Sequence, residues 1–184
     1  LNALIANKRA IIANGGQVIM TARAADQVLS AQVNNSGIIQ ARTMAALKGG
    51  SNGTVKIGRI KLLAQGGTTS VSGKLDASAP KGGDGGFIET SGDKVNIADS
   101  AVITTLAPDG ATGMWLIDPV DFTIAAAGGD ISGATLSSLL NMTSQGFSAT
   151  NNLYVNDAVS WSANTTLTLT AGNNLYVNKA ITAT

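Results

Sequence analysis

The chain contains no cysteine and no histidine among its 184 residues. Their absence excludes disulfide bonds, thiolate and imidazole nucleophiles, and the usual ligands of zinc. We therefore predict neither a metal site nor a bound cofactor. A chain without cysteine fits a secreted or surface protein, although cytosolic proteins also lack cysteine in some cases.

Aromatic residues are scarce as well, at 4%, and charged residues make up only 12%, whereas hydrophobic residues reach 44%. A core built from Ala, Val, Ile and Leu suits thin stacked layers better than a bulky interior. No apolar run approaches the roughly 18 residues that span a bilayer. We predict no transmembrane segment.

The few charges are unevenly distributed. Residues 1–94 hold 11 basic and 5 acidic residues, and residues 95–184 hold 1 basic and 6 acidic residues. Such a split marks a partner-binding end in some proteins. Here no basic cluster is interleaved with aromatic residues, so we expect no nucleic-acid binding.

Proline is rare, with 3 residues, but glycine is abundant, with 22. This balance favours many short strands joined by tight turns, and hence an all-β fold. Glycine pairs recur at 15–16, 49–50, 66–67 and 82–83. Their first members lie 34, 17 and 16 residues apart, which predicts short circuits of chain with a glycine corner in each.

The hexapeptide Asn-Asn-Leu-Tyr-Val-Asn occurs at 151–156 and again at 173–178, 22 residues later. A short alternating segment repeated at such a period is typical of a solenoid. Stacking the copies predicts side-chain ladders, Asn152 on Asn174 and Asn156 on Asn178. It also predicts buried Leu and Val and an outward Tyr154–Tyr176 stack, which makes the two tyrosines the candidate ligand-binding residues.

A different period interrupts the pattern at 130–144. Leu136, Leu139 and Leu140 follow helical spacing, with Ser132 or Thr135 as the N-cap, so we predict one short helix. The chain then divides into glycine-paired rungs at 1–129, this helical interruption, and 22-residue rungs at 145–184. We treat 1–184 as a single solenoid.

Three carboxylates in one segment, Asp84, Glu89 and Asp93, are the best candidates for acid–base catalysis. Glycoside hydrolysis needs two such groups held several Å apart. However, Gly-Gly-Asp-Gly-Gly around Asp84 is also what a tight corner requires. We predict a structural turn, no catalytic residues and no enzymatic activity.

Several segments together resemble the filamentous-haemagglutinin-type exoproteins of Gram-negative bacteria. These segments are 22–26 (ARAAD), 33–37 (VNNSG), 75–78 (LDAS), 82–92 (GGDGGFIETSG), 115–119 (WLIDP) and 167–171 (LTLTA). The resemblance implies a right-handed parallel β-helix, secretion through a dedicated outer-membrane transporter, and adhesion. The family's Asn-Pro secretion motifs are absent, so we expect a stalk segment downstream of the secretion domain.

The expected function is accordingly that of a structural or adhesive segment on the surface of a Gram-negative bacterium. Its expected partners are a host-surface glycan or protein, the transporter, and further copies of itself through end-to-end or lateral association. Two alternatives stay open. One is a carbohydrate-active β-helix enzyme, and the other is a module that binds a glycan or haem, for which Tyr154 and Tyr176 are the candidate residues.

Overall fold

The structure, a computed structural model, describes residues 3–24, 30–45 and 55–184. This part of the chain consists of short β-strands and one short α-helix, which confirms the all-β class. In chain order the strands are β1 (Ala3–Asn7), β2 (Ala10–Ile12), β3 (Gln17–Arg23), β4 (Ala31–Asn35), β5 (Ile38–Gln40), β6 (Arg59–Val71), β7 (Lys74–Asp76), β8 (Phe87–Ile97), β9 (Val102–Thr104), β10 (Met114–Asp118), β11 (Phe122–Ile124), β12 (Ser144–Ala149), β13 (Asn152–Val155), β14 (Val159–Trp161), β15 (Leu167–Ala171), β16 (Asn174–Val177) and β17 (Ile181–Ala183).

Within the described ranges, all pairings between these strands are parallel. The largest sheet has eight strands, in the order β1-β4-β6-β8-β10-β12-β15 with β3 alongside β6. Three smaller sheets have the orders β2-β5-β7-β9, β11-β13-β16 and β14-β17. Since strands adjacent in the chain are not adjacent in a sheet, every pairing is a crossover, as parallel pairing demands.

The register confirms the 22-residue repeat. Phe147 pairs with Leu169, Ala149 with Ala171, and Val159 with Ile181. In the first half the spacing is different: Asn7 and Asn35 stand 28 residues apart in neighbouring strands, and so do Lys61 and Glu89. The shorter, glycine-paired circuits expected there are therefore wrong.

The spacing predicted from the glycine pairs is wrong because these glycines do not all have the same structural role. Gly15, Gly66 and Gly82 do have positive φ and turn corners, as expected. Other glycines are needed for a close approach of neighbouring strands: a Cβ on Gly73 would lie 2.1 Å from the carbonyl oxygen of Gly37. Successive glycine pairs therefore serve different structural roles, and their spacing does not give the number of residues between paired strands. The pair at 49–50 lies outside the described residues.

The core lies between the sheets, and alternation along each strand fills it. Strand β3 has the pattern exposed–buried throughout, with Val18, Met20 and Ala22 inside. The largest fully buried side chains are Trp115, Phe122 and Phe147. The Trp115 indole N–H donates to the Thr90 hydroxyl over 3.1 Å, which satisfies its one polar atom. Trp161 is partly buried and packs against this core.

The single helix in the described residues, α1 (Gly133–Leu140), confirms the predicted interruption within 130–144. Ser132 is its N-cap, since the Ser132 hydroxyl accepts a hydrogen bond from the Thr135 amide over 3.1 Å. Leu136, Leu139 and Leu140 are buried. The helix packs against β14 and β9. Within the described ranges no helix has the length and apolarity that crossing a membrane requires.

A buried charge holds β7 to the segment after β5. Asp76 is 1% exposed, and its Oδ2 accepts from Arg42 Nη2 over 2.8 Å and lies 3.2 Å from Lys74 Nζ. Its Oδ1 accepts from the Ser78 hydroxyl over 2.6 Å. Burial alone would raise the pKa of Asp76, but the contacts with Arg42, Ser78 and Lys74 lower the pKa to about 2, from an ordinary value of 3.8.

This network predicts a loss of stability in acid. A carboxyl whose pKa is lower in the folded state stabilises the fold above its unfolded pKa, and that contribution disappears as the pH falls from about 4 through about 2. We expect Asp76 to contribute about 2 kcal/mol of the acid-dependent free energy of unfolding. Denaturant unfolding of the parent and of Asp76→Asn at a series of pH values measures it.

In Asp76→Asn the decline between about pH 4 and pH 2 should be smaller by that amount. The matched control is Asp109→Asn, since Asp109 is exposed and makes no ion pair within the described part of the chain. Parallel pH profiles for the parent and Asp76→Asn would contradict the assignment.

Candidate functional site

The predicted tyrosine pair forms a flat aromatic surface. Tyr154 in β13 is in register with Tyr176 in β16. Their ring centroids lie 4.9 Å apart, with 5° between the ring planes. Leu153 and Val155, on either side of Tyr154, are fully buried. Because side chains alternate along a strand, this burial turns both tyrosines outward.

Asparagine ladders flank the tyrosines, as predicted from the repeat. Asn174 Nδ2 donates to Asn152 Oδ1 over 3.2 Å, and Asn178 Nδ2 donates to Asn156 Oδ1 over 2.7 Å. A third hydrogen bond between side-chain amides, which the repeat analysis did not predict, runs from Asn173 Nδ2 to Asn151 Oδ1 over 3.4 Å. In-register amides both donate and accept, so the ladders fix the two strands in one register and hold the rings parallel.

The chemistry of this surface is that of a stacking platform. Tyr176 is 42% exposed and Tyr154 is half-buried beneath it. A tyrosine face offers apolar contact and its hydroxyl offers a hydrogen bond, a combination suited to sugar rings and to peptide side chains.

The three candidate carboxylates do not form one cluster. Asp84 lies in a turn, where its Oδ1 accepts from the Ala111 amide over 2.9 Å, in keeping with the structural role predicted for this segment. Glu89 and Asp93 instead line an open groove of about 320 Å³ together with Asp118. Asp118 was not among the predicted catalytic candidates, although its strand places it directly beside Ser91.

Two of the three carboxyls that line the groove, those of Glu89 and Asp118, lie in different environments. Glu89 is paired with Lys61 over 2.6 Å and accepts from the Ser91 hydroxyl over 3.2 Å. Asp118 has no hydrogen-bond partner for its side chain within the described residues, and partial burial, followed by the charge of Glu89, raises the pKa of Asp118. Other residues that line the groove include Ser91, Thr150, Pro119 and Val120. The groove can thus accept hydrogen bonds from hydroxyl-rich or cationic groups.

Within the described residues, neither the tyrosine surface nor the groove has the arrangement of ligand side chains that a metal ion requires. Across the described ranges, no three residues of the types His, Cys, Asp and Glu are arranged to hold a metal ion.

Comparison with known proteins found no match to this chain among family models, curated proteins or solved structures.

The stacking of Tyr154 on Tyr176 predicts a measurable coupling between the two side chains in the free energy of unfolding. Offset or parallel aromatic pairs stabilise by about 0.5–1.5 kcal/mol beyond the area that they bury. In a double-mutant cycle of Tyr154→Leu and Tyr176→Leu, we expect a coupling of that size in the free energy of denaturant unfolding. The control cycle pairs Tyr154→Leu with Thr168→Ala, an exposed position in the neighbouring strand β15. Equal coupling in both cycles would contradict a specific ring–ring contact.

Proposed function

We propose that this chain is a stacked-layer segment, a right-handed parallel β-helix, that serves as a structural or adhesive stalk of a large secreted bacterial exoprotein. The observation that carries the proposal is the cyclic order of the strands. Strands β12, β13 and β14 are followed by β15, β16 and β17, and each of the last three pairs in parallel with the strand three places earlier. We call one such circuit of three segments a layer.

The same order supports layers further up the chain. Strand β6 pairs with β3 through its first half and with β4 through its second half, so one long strand passes through two positions of a layer. Strand β8 continues both halves, with a register shift between them. Helix α1, packed between β9 and β14, occupies the third position of its layer. Right-handed winding follows from the strong preference of parallel crossovers.

This architecture suits a mechanical role. Each layer contacts only its neighbours, so stability is close to a sum over adjacent pairs, and a segment of this kind can be lengthened without changing its cross-section. The amide ladders at Asn152–Asn174 and Asn156–Asn178 resist sliding of one layer over the next. A stiff spacer needs these properties, and an enzyme does not.

Adhesion is the second part of the proposal. Tyr154 and Tyr176 offer the exposed stacking surface, and its partner would be a glycan or a protein on a host surface. The resemblance to filamentous-haemagglutinin-type exoproteins adds secretion through an outer-membrane transporter and a place on the surface of a Gram-negative bacterium. A haem-binding role would require tyrosine or methionine as the axial ligand, because the chain has no histidine or cysteine.

The groove favours one alternative, a carbohydrate-active enzyme that uses Glu89 and Asp118. Two carboxyls held several Å apart on either side of the glycosidic bond are the usual requirement for glycoside hydrolysis. The Lys61–Glu89 ion pair weighs against this function, because Lys61 Nζ already contacts the Glu89 carboxylate over 2.6 Å. The stalk therefore remains the preferred function.

Binding and cleavage assays separate these functions. On a glycan array, and on immobilised host-surface proteins, we expect the chain to bind, and Tyr154→Ala/Tyr176→Ala to bind at least about tenfold more weakly, a loss of roughly 1.4 kcal/mol. The matched control is Thr168→Ala/Thr170→Ala, which alters two exposed side chains of β15. Cleavage of a polysaccharide by the parent, lost in Glu89→Gln or Asp118→Asn, would instead establish the enzyme.

A further inference from the structure

A second pocket lies on the outer face of the largest sheet, at the first residues of β6, β8, β10 and β12. It is open, with a volume of about 440 Å³, which is within the range of small-molecule sites. Arg59, Phe87, Met114 and Ser144 line it and follow one another in register across the four strands. We call it the arginine pocket. It lies on a different sheet from the stacked tyrosines.

Glycines shape the floor of the arginine pocket. Gly86 and Gly113 stand directly before the first residues of β8 and β10, and both line the pocket. A Cβ on Gly86 would lie 2.2 Å from the carbonyl oxygen of Gly58, and a Cβ on Gly113 would lie 2.0 Å from that of Gly86. No larger residue fits at these positions, because the backbones approach too closely. The floor is therefore backbone without side chains, and the sheet itself fixes the recess beside Phe87.

The arginine pocket has a single free cation. The Arg59 side chain is exposed and makes no ion pair or hydrogen bond within the described residues. Lys61 Nζ, 6.0 Å from the centroid of the Phe87 ring, is already paired with Glu89 over 2.6 Å. Among the described residues, no carboxylate lines the pocket. One uncompensated guanidinium suits a monoanion, and its planar pair of N–H groups matches a carboxylate.

The walls of the pocket suit an aromatic ring that carries a polar substituent. Phe87 and Met114 are half-buried side by side, and Ile57, which is 44% exposed, adds further apolar surface. A ring placed there would stack on Phe87 and contact the sulfur of Met114. At the far end, the Ser144 hydroxyl accepts from the Thr166 amide over 3.2 Å, and its own O–H has no acceptor within the described residues. That O–H can donate to the ligand.

We propose that the arginine pocket binds a small aromatic carboxylate, with its carboxylate on Arg59, its ring on Phe87 and Met114, and a polar ring substituent at Ser144. Neighbouring strands lie about 4.8 Å apart, so the three steps from Arg59 to Ser144 cover about 14 Å. A phenylpropionate with a para hydroxyl fits between side chains that reach inward from both ends. A phosphate ester fits less well, because its second negative charge would meet no free cation. The inference does not depend on the stalk function proposed above.

The test is a titration of the isotope-labelled full chain with para-hydroxyphenylpropionate, followed by the NMR shifts of backbone amides. We expect saturable shifts at Phe87, Met114 and Ser144, with one ligand per chain. The control ligand is the corresponding carboxamide, which keeps the ring and the hydroxyl but has no charge. We expect the carboxamide to bind at least about tenfold more weakly.

Variants of the pocket assign the contacts. Arg59→Gln should weaken binding of the carboxylate at least about tenfold, and Phe87→Leu, which removes the ring but keeps an apolar side chain, about threefold. Arg59→Lys keeps the charge and loses the planar pair of N–H groups, so its affinity should lie between those of the parent and Arg59→Gln. The matched control is Arg23→Gln, an equal change of charge at an exposed residue of β3 outside the pocket, which should leave the affinity unchanged.

The absence of saturable shifts overturns the inference, as does equal affinity for the carboxylate and the carboxamide. Equal affinity of the parent and Arg59→Gln also overturns it. Shifts centred on the stacked tyrosines would do the same, because they would place the ligand on another sheet. The amide spectrum of each variant, recorded before ligand is added, shows whether that variant is folded, and Arg59→Lys tests the guanidinium contact with the least change to the chain.

Discussion

The parallel pairing of strands that lie far apart in the chain is the interaction on which the rest of this structure depends. The paired residues stand 22 residues apart in the β12–β15 and β13–β16 ladders, and between 26 and 42 residues apart in the amino-terminal half. The side chains that share a face therefore come from strands that are distant in the chain. Core, amide ladders and tyrosine stack all follow from that register.

Many of the polar side chains that enter the core are satisfied by neighbouring strands or by local turns, whereas the buried side-chain amide of Gln145 has no hydrogen-bond partner within the described residues. Asn7 Nδ2 donates to Asn35 Oδ1 over 2.8 Å, which repeats near the amino end the ladder seen near the carboxyl end. Trp115 bonds to Thr90, and the Thr105 hydroxyl bonds to the Thr143 hydroxyl over 2.7 Å. Asp76 requires two cations because its position beneath Arg42 and Lys74 removes it from water. Such contacts cost little because the partner already stands in place, and they disfavour any slipped register.

The repeat allowed the strand register and side-chain orientation of the carboxyl-terminal half to be predicted from the sequence. An identical hexapeptide at a fixed offset defines both the register and the inward and outward faces, so the tyrosine stack, the asparagine ladders and the burial of Leu153 and Val155 could be predicted from it. The helix could be predicted from the spacing of Leu136, Leu139 and Leu140. Both patterns are visible in the sequence itself, and they do not depend on knowing which distant segments pair.

The amino-terminal half could not be predicted in the same way, because its paired strands carry no repeated sequence at a fixed separation. Glycines such as Gly73 are required by a neighbouring backbone that is distant in the chain, and no local pattern reveals it. Asp118 enters the groove beside Glu89 for the same reason: its pairing with Ser91 is a property of the sheet. Asp84, by contrast, is close to Glu89 in sequence and serves a separate turn.

The most direct test of the account is a disulfide across one register pair in a chain that has no cysteine of its own. Ser148 pairs with Thr170 in the β12–β15 ladder, and both residues lie on the outward-facing positions of their strands. We expect Ser148→Cys/Thr170→Cys to form an intramolecular disulfide under mild oxidation, since the Cα atoms of directly paired strands fall in the range that a disulfide bridges. Ser148→Cys/Thr168→Cys, displaced by two residues, should stay reduced. Equal cross-linking of the two pairs, or of neither, would contradict the stacked register.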